Sequence, residues 1–154
     1  MTRDATDRCL VYLKDMQQAL HRLMVATAGP GLTEITQSVT IWVSAQRIET
    51  GLLTLFCRHT SASLIIQENA DPDVQHDLEA FFARIAPEDP HRYRHDTEGP
   101  DDMPAHLRAA LTQTQLSIPV AGGRPVLGTW QGIYLFEHRH AVQEREIVLH
   151  VIGE

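Results

Sequence analysis

The stretch Gly51-Leu52-Leu53-Thr54-Leu55-Phe56-Cys57-Arg58-His59-Thr60-Ser61-Ala62-Ser63-Leu64-Ile65-Ile66-Gln67-Glu68-Asn69-Ala70-Asp71-Pro72-Asp73 decides the fold. Gly51 to His59 is a near-continuous apolar run of strand length, and Ser63 to Glu68 is a second after a short polar break. A helix start follows: Asp71 stands as N-cap, Pro72 takes the first helical position and Asp73 lies near the positive end of the helix dipole. Val74, Leu78, Phe81 or Phe82, and Ile85 mark the buried stripe of that helix, and Pro87 and Pro90 stop it. Two strands in direct succession ahead of a helix do not fit regular βαβ alternation.

Upstream, Leu20 to Ala26 reads as a strand halted by Gly29-Pro30-Gly31. Thr33 then serves as an N-cap with Glu34 in the first turn, and Ile35, Val39, Trp42 and Val43 share one helical face that ends near Thr50-Gly51. Residues 1–15 form a polar, charge-mixed extension; a helix with Cys9, Leu10, Leu13 and Met16 on its apolar side and a loose terminus are both open there. Downstream, Glu88 to Pro100 lacks apolar periodicity and is a loop long enough to suggest function. Asp102 caps a short helix through Leu107, Ala110 and Leu111. In the remainder Leu116, Ile118 and Val120 alternate, Gly122-Gly123 makes a tight turn, and Val126 to Phe136 is a long strand. A turn from His138 to Gln143 leads to Ile147, Leu149 and Val151, with Val148, His150 and Ile152 on the opposite face. Two or three helices and about seven strands predict an α+β fold, mostly an antiparallel β-sandwich, in a single domain over residues 16–154.

A chain of 154 residues and 17.3 kDa suits one such domain. Its 13 Lys and Arg against 20 Asp and Glu give a net charge of −7, which argues against nucleic acid and anionic membrane as partners. The acidity is local. From Glu68 to His106 eleven acids face three bases, and His76, His91, His95 and His106 lie in the same window. Cys9 and Cys57 make no disulfide framework, and neither a signal-peptide pattern nor a span-length apolar run occurs, so a cytoplasmic location is expected.

Phosphate-cradling Gly-rich loops, paired Cys motifs, the His-Glu-x-x-His zinc motif and a nucleophile elbow are all absent. Arg58-His59-Thr60-Ser61 offers a cation, an imidazole and two hydroxyls at a strand break, suited to a phosphate or to an ordinary hydrogen-bonded turn. Glu68-Asn69-Ala70-Asp71-Pro72-Asp73 places more carboxylates at a strand-to-helix junction than a cap requires. His59, His95 and His106, with Glu68 or Asp96, have the chemistry of an open divalent-metal site (Mg, Mn or Zn), the alternative being separately satisfied surface histidines. His138-Arg139-His140 lies in the expected hairpin turn and is left outside this set. Gly128 and Gly132 bracket Trp130 and Gln131; Trp130 suits either the core or a wall for a ring.

Several of these segments, together and in order, resemble a known family. Cys57 through Val74, Tyr93-Arg94-His95, Asp101 through Leu107, Ser117 through Val120 and Leu127 through Ile133 are similar to the motifs of the YjbQ-like family, whose members are often labelled secondary thiamine-phosphate synthase. The resemblance runs from about Ala19 to Glu154 and leaves residues 1–15 outside. It implies an α+β fold whose β-sandwich packs about a threefold axis as a homotrimer. It also implies a pocket to which His59, Thr60, Ser61, Glu68, Asn69, Asp71, His95, His106, Gln131 and Arg145 correspond by motif position. Two departures stand out: Ser61 replaces a second threonine and keeps the hydroxyl, and Asp101-Asp102-Met103-Pro104 replaces an Asn-containing segment and makes the mouth more acidic.

The activity implied joins a pyrimidine-methyl diphosphate to a thiazole phosphate and releases pyrophosphate. On that reading His59, Glu68 and His95 are the catalytic groups, and His59, His95 and His106 hold the cation. Arg58 or Arg145 with Thr60 and Ser61 donates to phosphate, Asn69, Asp71 and Gln131 complete the substrate contacts, and Trp130 supplies a wall. The alternative expectation is a trimeric metal- or small-anion-binding protein without turnover.

Overall fold

A computed structural model describes residues 16–154, so the extension and the helix considered for it lie outside the described residues. Eleven elements follow in order: β1 Gln17–Thr27, β2 Gly31–Glu34, α1 Thr36–Ala45, β3 Thr50–Cys57, β4 Ala62–Glu68, α2 Pro72–Ile85, α3 Asp102–Leu111, β5 Gln115–Ala121, β6 Arg124–Pro125, β7 Gln131–Glu137 and β8 Gln143–Gly153. They form a five-stranded sheet in the order β1-β8-β3-β5-β6 and a three-stranded sheet in the order β2-β7-β4. Every neighbouring pair is antiparallel. The α+β expectation therefore holds, with three helices and antiparallel sheets. No described helix is long and apolar enough to cross a membrane.

The core follows from period-two alternation. Ile147, Leu149 and Val151 of β8, Leu53 and Leu55 of β3, and Leu116, Ile118 and Val120 of β5 point to one face of the larger sheet and are buried. They meet Val39 and Val43 of α1 and Leu64, Ile133 and Leu135 of the smaller sheet in one apolar cluster. The other face of the larger sheet carries Leu20, Met24, Leu52, Phe56 and Ile152, all exposed. Leu52 lies directly opposite Ile152, and Phe56 opposite Val148, so these apolar side chains adjoin across strands. Between β5 and β6 the turn uses Gly122 and Gly123 at φ 57° and 69°, the left-handed pair that a two-residue hairpin requires.

Four expectations need correction. Thr33 is not an N-cap: it sits in β2 opposite Leu135, and the helix begins at Thr36 with buried Ile35 in the cap position. Thr36 Oγ1 accepts from the Ile133 amide and donates to Glu34 Oε1, both at 2.8 Å, which pins the helix start to β7. That helix closes at Ala45, and Thr50-Gly51 opens β3 instead. The long strand from Val126 to Phe136 is interrupted, because Gln131 Oε1 accepts from the Gly128 amide at 2.8 Å and folds the segment into a turn before β7. In α3, Asp101 holds the cap position without a side-chain cap, and Asp102 is inside the helix.

Candidate functional site

The polar break at Arg58–Ser61 carries the chain from the larger sheet into the smaller one, beside the start of β8. His59 Nε2 accepts from the Glu146 amide at 2.8 Å, and Arg58 Nη1 pairs with Glu146 Oε1 at 2.7 Å. Burial first, and then the Arg145 charge, push the His59 pKa below its ordinary value, so the ring stays neutral and keeps the lone pair that this bond needs. Arg145 is itself buried. Its Nε and Nη2 bind Glu137 at 2.7 and 2.5 Å, and Nη2 reaches Ser61 Oγ at 3.1 Å. Burial alone would raise the Glu137 carboxyl, but the bonds from Arg145, the Arg139 amide and Thr27 outweigh it and hold the group below the usual carboxylate range. An open cleft of about 540 Å³ lies against this crossover, lined by Phe56, Arg58, His59, Thr60 and, from α3, His106. Cys57 also lines it, but burial raises its thiol, so a ready thiolate is not available there.

At the edge of the cleft three ligand atoms converge, from His95, Asp102 and His106, all within 4.8 Å of one another. Asp102 Oδ2 lies 2.7 Å from His95 Nε2 and 3.2 Å from His106 Nε2. One turn of α3 separates Asp102 from His106 and puts both on one face, while the loop after α2 brings His95 to them. Outer contacts orient the set. Arg139 Nη1 pairs with Asp102 Oδ1, and His106 Nδ1 sits 3.0 Å from the Thr60 carbonyl oxygen. A carbonyl only accepts, so Nδ1 carries the proton and the Nε2 lone pair faces a carboxylate. That juxtaposition is attractive only with a proton or a cation between the two atoms, and two imidazoles with one carboxylate form a set suited to a divalent metal with open positions.

The family model described as UPF0047 protein YjbQ-like matches residues 21–154. The chain belongs to this family. A UPF0047 protein of Synechocystis is 56% identical over 132 residues, which is 86% of this chain and 90% of that one. The UPF0047 protein YjbQ of Escherichia coli O157:H7 is 50% identical over 108 residues, 70% and 78% of the two chains. Among solved structures, a YbjQ-like protein of unknown function from Sulfolobus solfataricus superposes with a TM-score of 0.84 at 26% identity, covering 91% of this chain and all of that one. A conserved hypothetical protein from Thermus thermophilus gives 0.74 at 37% identity over 84% and 97%.

In this YjbQ-like chain the residues expected in one site fall into two groups. Arg58, His59, Thr60, Ser61, His95, His106 and Arg145 gather at the start of β4. Glu68, Asn69, Asp71, Trp130 and Gln131 lie at its other end, where Glu68 is opposite Gln131 and the Asn69 amide bonds the Trp130 carbonyl at 3.1 Å. At about 3.3 Å per residue, a strand from Ala62 to Glu68 holds the groups about 20 Å apart. His59 is outside the metal-type set, since its Nε2 lone pair is taken by the Glu146 amide; Asp102 supplies the third ligand atom instead. Arg145 is not a free phosphate donor, because Glu137 holds its guanidinium. Trp130 is exposed, and Asp71 accepts from the Asp73 amide at 2.9 Å as a helix cap.

Sequence reasoning missed Asp102, Arg139, Glu137 and His138. Asp102 looked like a cap. His138 and Arg139 looked like an exposed turn and Glu137 drew no reading, yet His138 is 1% exposed and Arg139 reaches both Asp101 and Asp102. A charged residue placed directly after four apolar ones was the available signal: Glu137 is the last residue of β7 and fully buried.

Proposed function

We propose that this YjbQ-like protein is a divalent-metal-dependent enzyme of the cytoplasm, of the thiamine-phosphate-synthase type that its motifs imply. It joins a pyrimidine-methyl diphosphate to a thiazole phosphate. The bond from the pyrimidine methylene to the pyrophosphate oxygen breaks, one to the thiazole nitrogen forms, and pyrophosphate leaves with the electron pair. The observation that carries this reading is the meeting of His95, Asp102 and His106 at the edge of a cleft to which His106 itself belongs.

A divalent cation on that triad would neutralise charge on the departing pyrophosphate. The chain's own residues supply the rest. Arg58, half exposed, lines the cleft and would trade its pairing with Glu146 for phosphate oxygens, and the Thr60 hydroxyl adds a donor. Arg139 and the Thr60 carbonyl fix the ligand orientations. His59, neutral and bonded to the Glu146 amide, holds the crossover in place without adding charge to the cleft. A site that also uses Glu68, Asn69, Trp130 and Gln131 must draw them from a second copy, given their distance from the cleft within one chain. The homotrimer implied by the motifs provides such copies, and the exposed apolar face of the larger sheet supports an interface.

The test combines metal content with product formation. After exposure to Zn, Mn or Mg, wild type is expected to retain one cation per chain; His95→Ala, Asp102→Asn and His106→Ala lose it, and His59→Ala keeps it. Thiamine phosphate should form with metal-loaded wild type and fall by about tenfold or more in the three ligand variants. Retained metal with no product above background at high enzyme concentration overturns the synthase reading and leaves binding without turnover. The occupied Arg145, one of the two cations expected to contact phosphate, is the observation that favours that second reading.

A further inference from the structure

The short contacts between the histidines and Asp102 all use the same ring atom: Asp102 Oδ2 lies 2.7 Å from Nε2 of His95 and 3.2 Å from Nε2 of His106. A second carboxylate faces that atom of His95. Glu98 Oε1 stands 3.9 Å from His95 Nε2, outside the three convergent ligand atoms. The two acids differ in freedom, the Asp102 side chain being 3% exposed and that of Glu98 63%. The backbone of Glu98 is nevertheless fixed. Its carbonyl accepts from Arg139 Nη2 at 2.8 Å, and the same guanidinium pairs through Nη1 with Asp102 and through Nε with Asp101 at 3.0 Å. Gly99 then turns the chain back at φ 104°, a conformation that favours glycine, and a Cβ there would stand 3.1 Å from Asp101 Oδ1. One arginine and one glycine thus bring Glu98 and Asp102 to the same atom of one imidazole.

Charge and spacing both give Glu98 a use. A dication on Asp102, with Arg139 and Asp101 beside it, leaves one positive charge unmatched, and a single further carboxylate cancels it. Donor atoms on one tetrahedral cation, at bonds of about 2.1 Å, lie about 3.4 Å apart. The 3.9 Å between Glu98 Oε1 and His95 Nε2 is slightly longer, a gap that an exposed side chain closes by its own torsions. We propose that Glu98 is a fourth protein ligand of this centre, taking a position that His95, Asp102 and His106 leave open. The cation is then held by two imidazoles and two carboxylates. This inference rests on the metal reading above and adds a ligand that lies between the family motifs and in none of them.

Cobalt(II) and zinc serve as probes on the full chain, cobalt because its visible absorption reports the number and kind of donor atoms, zinc for its affinity in competition with a chelator. Glu98→Gln keeps the backbone contact to Arg139 and should fold as wild type does. It is expected to weaken zinc binding by about tenfold or more and to change the cobalt spectrum. Asp96→Asn is the control for charge alone: it removes the same charge next to His95, from a residue with no ion pair among those described. Its zinc affinity should stay within about twofold of wild type, with the wild-type spectrum. An unchanged cobalt spectrum in Glu98→Gln, an unchanged zinc affinity, or an equal loss in Asp96→Asn would each overturn the proposal. Any of these, with metal still lost in His95→Ala, removes Glu98 and leaves the three-residue centre standing. Wild type that binds neither metal overturns the ligand and the metal reading together.

Discussion

Packed between Ser63 and Phe136, the His138 ring loses its water, and this desolvation, followed by the Arg108 charge, pushes its pKa down to about 3. In the unfolded chain the same ring takes up a proton below about 6.5. Between those two values the unfolded state binds the extra proton, so stability is lost as pH falls, by up to about 1.4 kcal/mol per pH unit from this residue. His138→Gln removes that titration. Urea unfolding at pH 7.5, 6 and 5 should show wild type losing about 1 kcal/mol per unit more than the variant below pH 6.5; parallel slopes would mean that the ring is not held neutral. At this scale the sequence was informative about chemistry and silent about burial. His95 and His106 were legible as metal-type residues because imidazoles beside acids are uncommon outside sites. Glu137, His138 and Arg139 were not, because a charged run after a strand is ordinarily a solvated turn, and only the packing of α3 and the loop before it over them reverses that.

Elements with a strong period were legible. β5 and β8 alternate and bury every second residue, and α2 announces itself through Asp71 and Pro72. Where side chains rather than period set the backbone, the reading failed: Gln131 makes the turn that splits β6 from β7, and Thr36 ties α1 to β7 in place of a cap at Thr33. Asp71 tests the difference between an architectural and a ligand-binding carboxylate. Its bond to the Asp73 amide predicts that Asp71→Ala lowers stability by about 1 kcal/mol and that Asp71→Ser, which can still cap, restores most of it. Denaturant melts of the two variants check this. Synthase activity that follows the melts places Asp71 in the scaffold, whereas loss of activity in a fully stable Asp71→Ser chain places it in the substrate site.

Across the whole molecule the residues named by the motifs divide between the two ends of β4, a separation that one sequence cannot reveal because motif order carries no distance. The threefold association proposed above would resolve it, and it predicts a particle of three times the chain mass by light scattering. Leu52, 43% exposed in the middle of the apolar outer face, is the place to break the assembly. Leu52→Asp should give the mass of a single chain with unchanged circular dichroism, and a wild-type particle of single-chain mass would refute the trimer. The larger sheet also constrains when the protein can fold. β8, after every other element in sequence, pairs with β1 from Gln17–Gly153 to Thr27–Gln143 and with β3 on its other edge. A nascent chain leaving the ribosome therefore carries β1 and β3 with the strand between them still unsynthesised, and both expose alternate apolar residues until β8 has been made. Long-range pairing of this kind is slow to form, so the unpaired edges of β1 and β3 are open to wrong pairing and aggregation until β8 arrives.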